Sequence, residues 1–407
     1  SFDTLFMLLW AVPDQASPTV LARTYPEVPT YKYYPDHGVV HWRENWSDPD
    51  AVAFAFKAGP PAGHAFAKLL KEDPRWKPSL GHAQPDAGSF ILFAGGSFLA
   101  GDTGYTGKKE TADHNSLLVD GIGQHKGGTA WATFEGKSYD EYAKIAIKEV
   151  WLNSVVAVVT TDLTAAYDDA LRLERVERKM MLVAGKYLLV ADHLVSDVPH
   201  VYEWRWHSDR CAVIQGQNAE IRDRKVALVL NNLLSIDDMR VGATIVDTEV
   251  DANKAPRLQQ RGYHISTKSK ASPGHRFLTA GFVQRDAREK MKMAQRPDGV
   301  VTFSAATERC TLWYQPGAGL AGSYAFTVSD RSGRVTLAGF KGTSFDSGDA
   351  GFSVKVSKTA SLLLRFDDDA VEIESTDKGD SVEVTLLQSG REKRAKVGAQ
   401  PVRLVLE

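Results

Sequence analysis

The residues best suited to chemistry lie between positions 81 and 124. His82, Asp86, Asp102, His114 and Gln124 stand at the ends of short apolar runs, beside glycine-containing turns. Histidine carries a proton near neutral pH, and both histidine and aspartate are metal ligands. Strand ends allow a rigid sheet to direct such side chains into one cleft. The pattern therefore predicts a polar site built from several turns.

Three stretches of this region match the motifs of one enzyme family. They read GHAQPD at 81–86, LAGDTGY at 99–105 and HNSLLVDGIGQ at 114–124. On these motifs the chain resembles the heparinase II/III-type polysaccharide lyases, most strongly between residues 42 and 192. The DGIGQ stretch lacks the strand–turn–helix setting and the Lys-Ser/Thr of a phosphate-binding loop. We interpret it as a hairpin turn that presents Gln124 and His125.

A lyase of uronate polymers must offset the carboxylate charge, remove the C5 proton and protonate the leaving oxygen at C4. The resemblance implies that His82 does part of this work, because it matches the first histidine of a His-x-His-x-Asp motif that ends here in Asp86. His82 would neutralise the carboxylate or take part in proton transfer. In the resembled family the catalytic tyrosine comes from an α-helical toroid upstream, so this chain would carry half of the active site.

The resemblance also implies a structural zinc ion near the cleft. The family's ligand positions correspond here to Gln84, Asp102 and His114. The aspartate and the histidine are good zinc ligands by type, whereas an amide is a weaker donor than the imidazole it replaces. Either zinc binds with Gln84 or water completing the set, or the site is metal-free and hydrogen-bonded. The elimination chemistry itself needs no cofactor.

Candidate substrate contacts are Arg43, His64, Tyr105 and Gln124. Basic groups pair with uronate or sulfate, and aromatic faces stack on sugar rings. Tyr105 is interpreted as a phenol that contacts substrate and not as the general base. Further basic and aromatic residues near the same turns are Trp46, Lys108, Lys109, Lys126 and Trp131.

The elements that must position these residues read almost entirely as strands. Short runs rich in Val, Ile, Phe, Tyr and Trp end at Gly, Asp, Asn or Pro, as at 51–56, 90–93 and 155–161. Many regular turns without alternating helices favour a large antiparallel two-sheet sandwich. The polar segment 254–276 is interpreted as a loop, and 367–369 as an acidic turn.

Three regions are predicted along the chain. Residues 1–24 combine helical apolar spacing with a proline-rich linker, and the resemblance implies that they are the end of an α-helical toroid. Residues 25–320 form the central β-sandwich. Residues 321–407, with shorter strands richer in Thr, Ser and Lys, form a smaller C-terminal β domain.

Composition excludes several classes of function. The 407 residues are 43% hydrophobic and 25% charged, which is typical of a globular protein. A net charge of -2 argues against nucleic acid as the main partner. No apolar run is long enough to span a bilayer. The two cysteines, Cys211 and Cys310, are interpreted as buried free thiols.

The sequence thus predicts a polysaccharide lyase that cleaves an acidic, uronate-containing polysaccharide by β-elimination. Alginate-like chains and glycosaminoglycans both fit, and the absence of a clear arginine cluster favours the unsulfated ones. A non-catalytic carbohydrate-binding or structural β module stays open as an alternative, as does a glycoside hydrolase. Substrate size predicts a periplasmic or secreted location, the upstream helical toroid is an expected partner, and a homodimer is left open.

Overall fold

The computed structural model describes residues 28–73, 75, 82–125, 137–249, 253–377 and 381–406. The predicted helix and linker at 1–24 lie outside these residues, as do Lys126 and Trp131. The described part contains two α-helices, α1 His64–Glu72 and α2 Tyr139–Tyr142. Its 3-10 turns are Thr111–Asp113, Thr164–Ala166, Asp169–Leu171 and Gly348–Ala350.

Strands make up most of the described residues. In the first half of the chain they are β1 Tyr31–Tyr34, β2 Val39–Arg43, β3 Ala53–Lys57, β4 Phe90–Ala94, β5 Ser97–Ala100, β6 Leu117–Val119, β7 Ala146–Leu152, β8 Val156–Asp162, β9 Leu173–Val183, β10 Tyr187–His200 and β11 Tyr202–Ser208. The remaining strands are β12 Ala212–Gln215, β13 Asn218–Asp223, β14 Val226–Asn232, β15 Asp238–Asp247, β16 Leu258–Lys268, β17 Ser272–Gln284, β18 Lys292–Gln295, β19 Val301–Ser304, β20 Glu308–Trp313, β21 Leu320–Asp330, β22 Val335–Asp346, β23 Phe352–Phe366, β24 Ala370–Ser375, β25 Val382–Gln388, β26 Arg391–Val397 and β27 Val402–Val405.

These strands form four sheets within the described residues. Sheet one has the order β1-β2-β3-β4-β5, and sheet two has the order β12-β13-β14-β17-β10-β9-β8-β7. Sheet three is β15-β16-β11-β6. Sheet four runs β18-β19-β20-β21-β22-β23-β24-β27, and β25 joins it beside β23 and carries β26. The predicted class, mostly β with antiparallel sheets, is confirmed.

Sheet two lies in the middle of the layers. Ala157 and Val159 of β8 pack into a core shared with sheets one and three, whereas Val156 and Val158 pack against sheet four. A strand that is covered on both faces reads as a continuous apolar run and not as an alternation. Each buried valine contributes about 1.5–3 kcal/mol, so this double burial is a main stabilising feature of the molecule.

Sheets one and three meet where the candidate site lies. The indole Nε1 of Trp206 on β11 donates a hydrogen bond of 2.7 Å to the carbonyl of Leu99 on β5. The same ring packs edge-on against Phe90 of β4, with 5.0 Å between ring centroids. These contacts fix the start of β4 and the end of β5, and therefore the loop that precedes β4 and the loop that follows β5.

Four details differ from the sequence-based expectation. The segment interpreted as a loop at 254–276 contains β16 and the start of β17. Most side chains of β16 are not buried, so its sequence lacks the apolar alternation that marks a strand. Helix α1 was not predicted, and β23 is a strand of 15 residues in the region where shorter strands were expected. Cys211 is exposed and Cys310 is buried, and both are free.

The predicted boundary between residues 320 and 321 falls at the first residue of β21, inside sheet four, which begins at Lys292. The division of the chain into domains stays a prediction. Among the described residues, no helix has the length and apolar character needed to cross a membrane.

Candidate active site

Asn115 is the centre around which the site is built. It is fully buried, and its amide nitrogen donates hydrogen bonds of 2.7 Å to the carbonyls of Phe90 and Gly101. Its amide oxygen accepts a 2.6 Å hydrogen bond from the backbone N–H of His207 on β11. One side chain thus holds together β4, the loop after β5 and sheet three. Sequence analysis noted Asn115 only as the neighbour of His114 and did not predict this role.

His114 is fully buried and pairs with Asp102, whose side chain is partly exposed. The Nδ1 atom of His114 lies 2.8 Å from Oδ2 of Asp102, and Oδ1 of Asp102 accepts a 2.7 Å hydrogen bond from the N–H of Gly104. Burial alone would lower the pKa of His114, but the attraction of Asp102 outweighs it and raises that pKa. Burial would likewise raise the pKa of Asp102, but His114 and the Gly104 amide lower it. The pair therefore favours its charged form.

Two polar atoms of the site, one of them in this pair, have no hydrogen-bond partner among the residues that the structure describes. They are the buried Oε1 atom of Gln84 and the buried Nε2 atom of His114. Gln84 and Asp102 line the same cleft, which has a volume of about 200 Å³. A buried polar atom without a partner costs about 1–3 kcal/mol, so these two atoms call for a ligand or water.

The lining of the cleft includes one ion pair. Lys57, on the outward face of β3, pairs with Asp86 at 2.6 Å, and both side chains are mostly buried. Both residues line the cleft together with Gln84 and Asp102. Sequence analysis placed Asp86 in the motif but missed Lys57. The alternating sequence of β3 could have revealed it, because Lys57 shares the outward face with Ala53 and Ala55.

His82, Tyr105 and Lys109 form a cluster at the surface. The ring of exposed His82 lies 5.4 Å from the ring of Tyr105, centroid to centroid, at an interplanar angle of 38°. The Nζ atom of Lys109 lies 3.8 Å from the centroid of the same phenol ring. Lys109 is buried, which lowers its pKa, and it donates a hydrogen bond to the carbonyl of Thr106. The structure thus brings two predicted site residues, His82 and Tyr105, into contact.

Arg261 of β16 holds the loop that carries Tyr105. Its Nη1 atom donates hydrogen bonds of 2.7 Å to the carbonyl of Thr103 and 2.8 Å to that of Tyr105. Gly104 between them has φ +75°, a conformation that glycine adopts without strain. Arg261 lies 156 residues from Tyr105 in the chain, so sequence spacing carries no signal of this contact.

Replacing Arg261 with alanine is expected to lower the free energy of unfolding by about 1.5–3 kcal/mol, because two charge-assisted hydrogen bonds are lost. Amide hydrogen exchange in the 103–105 loop should accelerate at the same time. Urea unfolding and exchange mass spectrometry measure both effects. The matched control is Arg240→Ala on neighbouring β15, where the side chain is 79% exposed and a change within about 1 kcal/mol is expected. Equal effects of the two substitutions would contradict the role of Arg261.

Gln124 lies inside the protein. Its Nε2 atom donates a 2.7 Å hydrogen bond to the carbonyl of Ala87, and its Oε1 atom accepts one of 3.0 Å from the Ala87 N–H. The side chain is buried and holds the loop that follows the His82 motif. Its predicted contact with substrate stays a prediction, and this geometry instead gives it a positioning role.

Arg43 and His64 make contacts with other parts of the protein than the cleft. The guanidinium of Arg43 donates to the carbonyls of Asn45 at 2.7 Å and Asp48 at 2.9 Å, and lies 5.4 Å from the centroid of the Trp46 ring. His64 begins α1 and is half-buried; burial lowers its pKa, against the opposing charge of Asp36. Neither residue lines the cleft that contains Gln84, and their substrate contacts stay predictions.

The fold and the site together define a β domain with a cleft that is lined by strands of sheet one and by the polar side chains of Gln84, Asp86 and Asp102. The model of the family described as Heparinase II/III-like, C-terminal matches residues 27–277. The chain belongs to this family. No curated protein sequence matches the chain.

Solved structures of lyases resemble the chain at low identity. The heparan sulfate lyase HepC from Pedobacter heparinus is 17% identical, with a TM-score of 0.49 over 75% of this chain and 45% of that chain. A heparinase III structure is 15% identical, with a TM-score of 0.49 over 71% of this chain and 43% of that chain. The chondroitin AC lyase of Streptomyces coelicolor A3 is 9% identical, with a TM-score of 0.49 over 96% and 51%. The chain thus spans about half the length of these proteins, or less.

Proposed function

We propose that this chain supplies the β-domain part of a polysaccharide lyase that acts on an acidic, uronate-containing polysaccharide. The observation that carries the proposal is the cluster of exposed His82 with Tyr105 and the buried Lys109, together with the pair formed by buried His114 and Asp102. Family membership supports it, because the similar solved structures carry the names of lyases. Glycosaminoglycans and alginate-like chains both contain the C5 proton that the reaction needs.

In the proposed reaction the C5–H bond breaks as a base takes the proton. A double bond forms between C4 and C5, the bond from C4 to the glycosidic oxygen breaks, and that oxygen takes up a proton. The imidazole of His82 lies at the surface, where it can hydrogen-bond the uronate carboxylate and offset its charge. Tyr105, held by Arg261, offers a ring and a hydroxyl to the same sugar. Further acid and base groups are proposed to come from an α-helical domain.

We also propose that Gln84, Asp102 and His114 hold a zinc ion. The unpartnered Oε1 of Gln84 and Nε2 of His114 support this proposal, and nitrogen and oxygen donors suit zinc. Within the described ranges, no group of three His, Cys, Asp or Glu side chains is placed to hold a metal, so the proposed set needs the Gln84 amide as its third donor. Bound zinc would supply a fixed positive charge and would hold the residues of the cleft in place.

Removal of zinc is expected to lower the melting temperature, because ligand binding to the folded state stabilises it. The protein should contain zinc by elemental analysis as purified. Gln84→His should bind zinc at least tenfold more tightly, about 1.4 kcal/mol, because imidazole is the stronger donor. Gln259→His on exposed β16 is the matched control and should leave affinity unchanged. The proposal would be contradicted if the purified protein contains no metal and its melting temperature changes neither with chelator nor with added zinc.

The reaction type is tested by digesting the polysaccharide in water labelled with the heavy isotope of oxygen. A lyase produces an unsaturated sugar, and the cleaved bond takes up no oxygen from water. A hydrolase adds an oxygen atom from water at the cleaved bond. The full-length natural protein should be tested against chondroitin sulfate, heparan sulfate, hyaluronan and alginate, with products read by mass spectrometry. Unsaturated, unlabelled products support the lyase, and labelled saturated products favour the glycoside hydrolase. Binding of a polymer without products favours the non-catalytic module.

The expected substrates are extracellular polymers too large to cross a membrane unaided. We therefore propose that the protein works in the periplasm or outside the cell. Fractionation of the source cells with an antibody to the protein tests this, and a purely cytoplasmic signal would contradict it.

A further inference from the structure

Sheet four contains a second polar groove, separate from the candidate active site. Its volume is about 600 Å³, and its floor is formed by β19, β20 and β21. Its walls are the hairpin turn between β21 and β22 and the 3-10 turn Gly348–Ala350. The opposite face of these strands, including Phe303, Leu312 and Phe326, packs in the core shared with sheet two. The groove therefore lies on the face that points away from sheets one and three.

The floor consists of two adjacent polar rows. Strand register places Thr302, Thr311 and Thr327 directly beside one another, followed by the row Ser304, Arg309 and Ser329. Neighbouring strands lie about 4.8 Å apart, so each row extends roughly 10 Å, comparable with two linked sugars. The repeated hydroxyls give the groove an unusually regular set of donors and acceptors.

The hydroxyls of the floor are available to a ligand. Those of Ser304, Thr311, Thr327 and Ser329 make no hydrogen bond to any residue in the described ranges. Thr311, Thr327 and Ser329 are nevertheless only 8%, 3% and 8% exposed, so they lie at the bottom of a concave surface. Polar groups in such a position gain from a partner that replaces water.

The charges of the groove favour an anion. Arg309 and Arg331 line it, are exposed, and have no carboxylate partner among the described residues. Of the acidic residues in the lining, Glu308 pairs with Lys186 and Asp330 pairs with Arg334 at 3.3 Å. Asp349 is 86% exposed and lies 3.8 Å from Arg296, which pairs more closely, at 2.6 Å, with Asp298. The two arginines thus remain free to bind a carboxylate or a sulfate.

We propose that this groove is a non-catalytic binding site for a short stretch of an anionic polysaccharide. The threonine and serine rows bind sugar hydroxyls, and Arg309 and Arg331 bind uronate or sulfate groups. The ligand class follows from the groove's own hydroxyls and charges and does not depend on lyase activity at His82. A second site on one chain would keep a long polymer attached while the candidate active site acts on another part of it.

The proposal is tested by calorimetric titration of the His82→Ala protein with hexasaccharides of chondroitin sulfate and of alginate, and with neutral maltohexaose. The double variant Arg309→Ala/Arg331→Ala should bind at least one acidic hexasaccharide about tenfold or more weakly. Arg391→Ala/Lys393→Ala, on exposed β26 of the same sheet, is the charge-matched control and should bind like the parent. Hydrogen exchange should slow at 302–311 and 327–331 when the acidic sugar is added.

Unchanged affinity of the double variant, or exchange protection confined to residues 82–114, would overturn the proposal. Equal binding of maltohexaose would overturn its anionic character. In the protein with intact His82, the double variant should cleave short substrates at the parent rate. If the binding titration contradicts the groove, the lyase proposal is unaffected. If no polymer is cleaved, the binding titration still tests the groove.

Discussion

Replacing Arg178 with methionine is expected to lower the free energy of unfolding by about 3–5 kcal/mol, because Asp192 is left as an unpaired buried carboxylate. Both side chains are fully buried. The guanidinium binds Asp192 through two hydrogen bonds of 2.7 and 2.9 Å. It also donates to the carbonyls of Gly88 at 2.7 Å and Asn115 at 2.8 Å. The pair thus joins sheet two to the two loops that carry the site.

Two controls distinguish the effect of breaking the buried pair from the effect of losing any positive charge. Arg222→Ala removes a half-exposed arginine from sheet two, and a change within about 1 kcal/mol is expected. The double variant Arg178→Met/Asp192→Leu removes both charges and should recover part of the loss. Denaturant unfolding measures all three proteins. A loss below about 1 kcal/mol for Arg178→Met would contradict the role of the pair.

Replacing His82 with alanine is expected to lower kcat/KM about 10²–10⁴-fold, the range for removal of a group that acts on a proton or charge in the transition state. The imidazole is exposed, so the free energy of unfolding should change by no more than about 0.5 kcal/mol. Initial rates of unsaturated product formation and a denaturation curve give both numbers. A large loss of activity without loss of stability separates a chemical role from a structural one.

Tyr105→Phe is the matched variant for this prediction. It keeps the ring that stacks beside His82 and loses only the hydroxyl. We expect a rise in KM with a smaller change in kcat, because Tyr105 is proposed to contact substrate and not to act as the general base. An equal and large loss of kcat in both variants would instead assign Tyr105 a part in proton transfer.

Much of the fold could be predicted because buried strands have a clear sequence pattern. Predicted runs at 51–56, 90–93 and 155–161 correspond to β3, β4 and β8 within one or two residues. Strands with exposed faces could not be found in this way. Strand β16, for example, is polar in its first half and was interpreted as a loop. Its pairing with β11 and β15, and not its own pattern, makes it a strand.

The site could be predicted only where motif residues are close in sequence. The stretches around His82, Asp102 and His114 do converge, because Asn115 ties their loops together. The direction in which a side chain points was harder to predict from the sequence. Gln124 turns inward, where its amide both donates to the carbonyl of Ala87 and accepts from the N–H of Ala87. The contribution of Arg261 depends on tertiary pairing and carries no local signal.

The most direct test of the central proposal is the ultraviolet absorbance of unsaturated uronate during incubation with acidic polysaccharides. The full-length natural protein and its His82→Ala variant should be compared on each polymer. We predict that absorbance rises with at least one uronate polymer and that the rise collapses in the folded variant. If no uronate polymer gives a rise, or if the folded variant is as active as the parent, the assignment of a lyase site at His82 is contradicted.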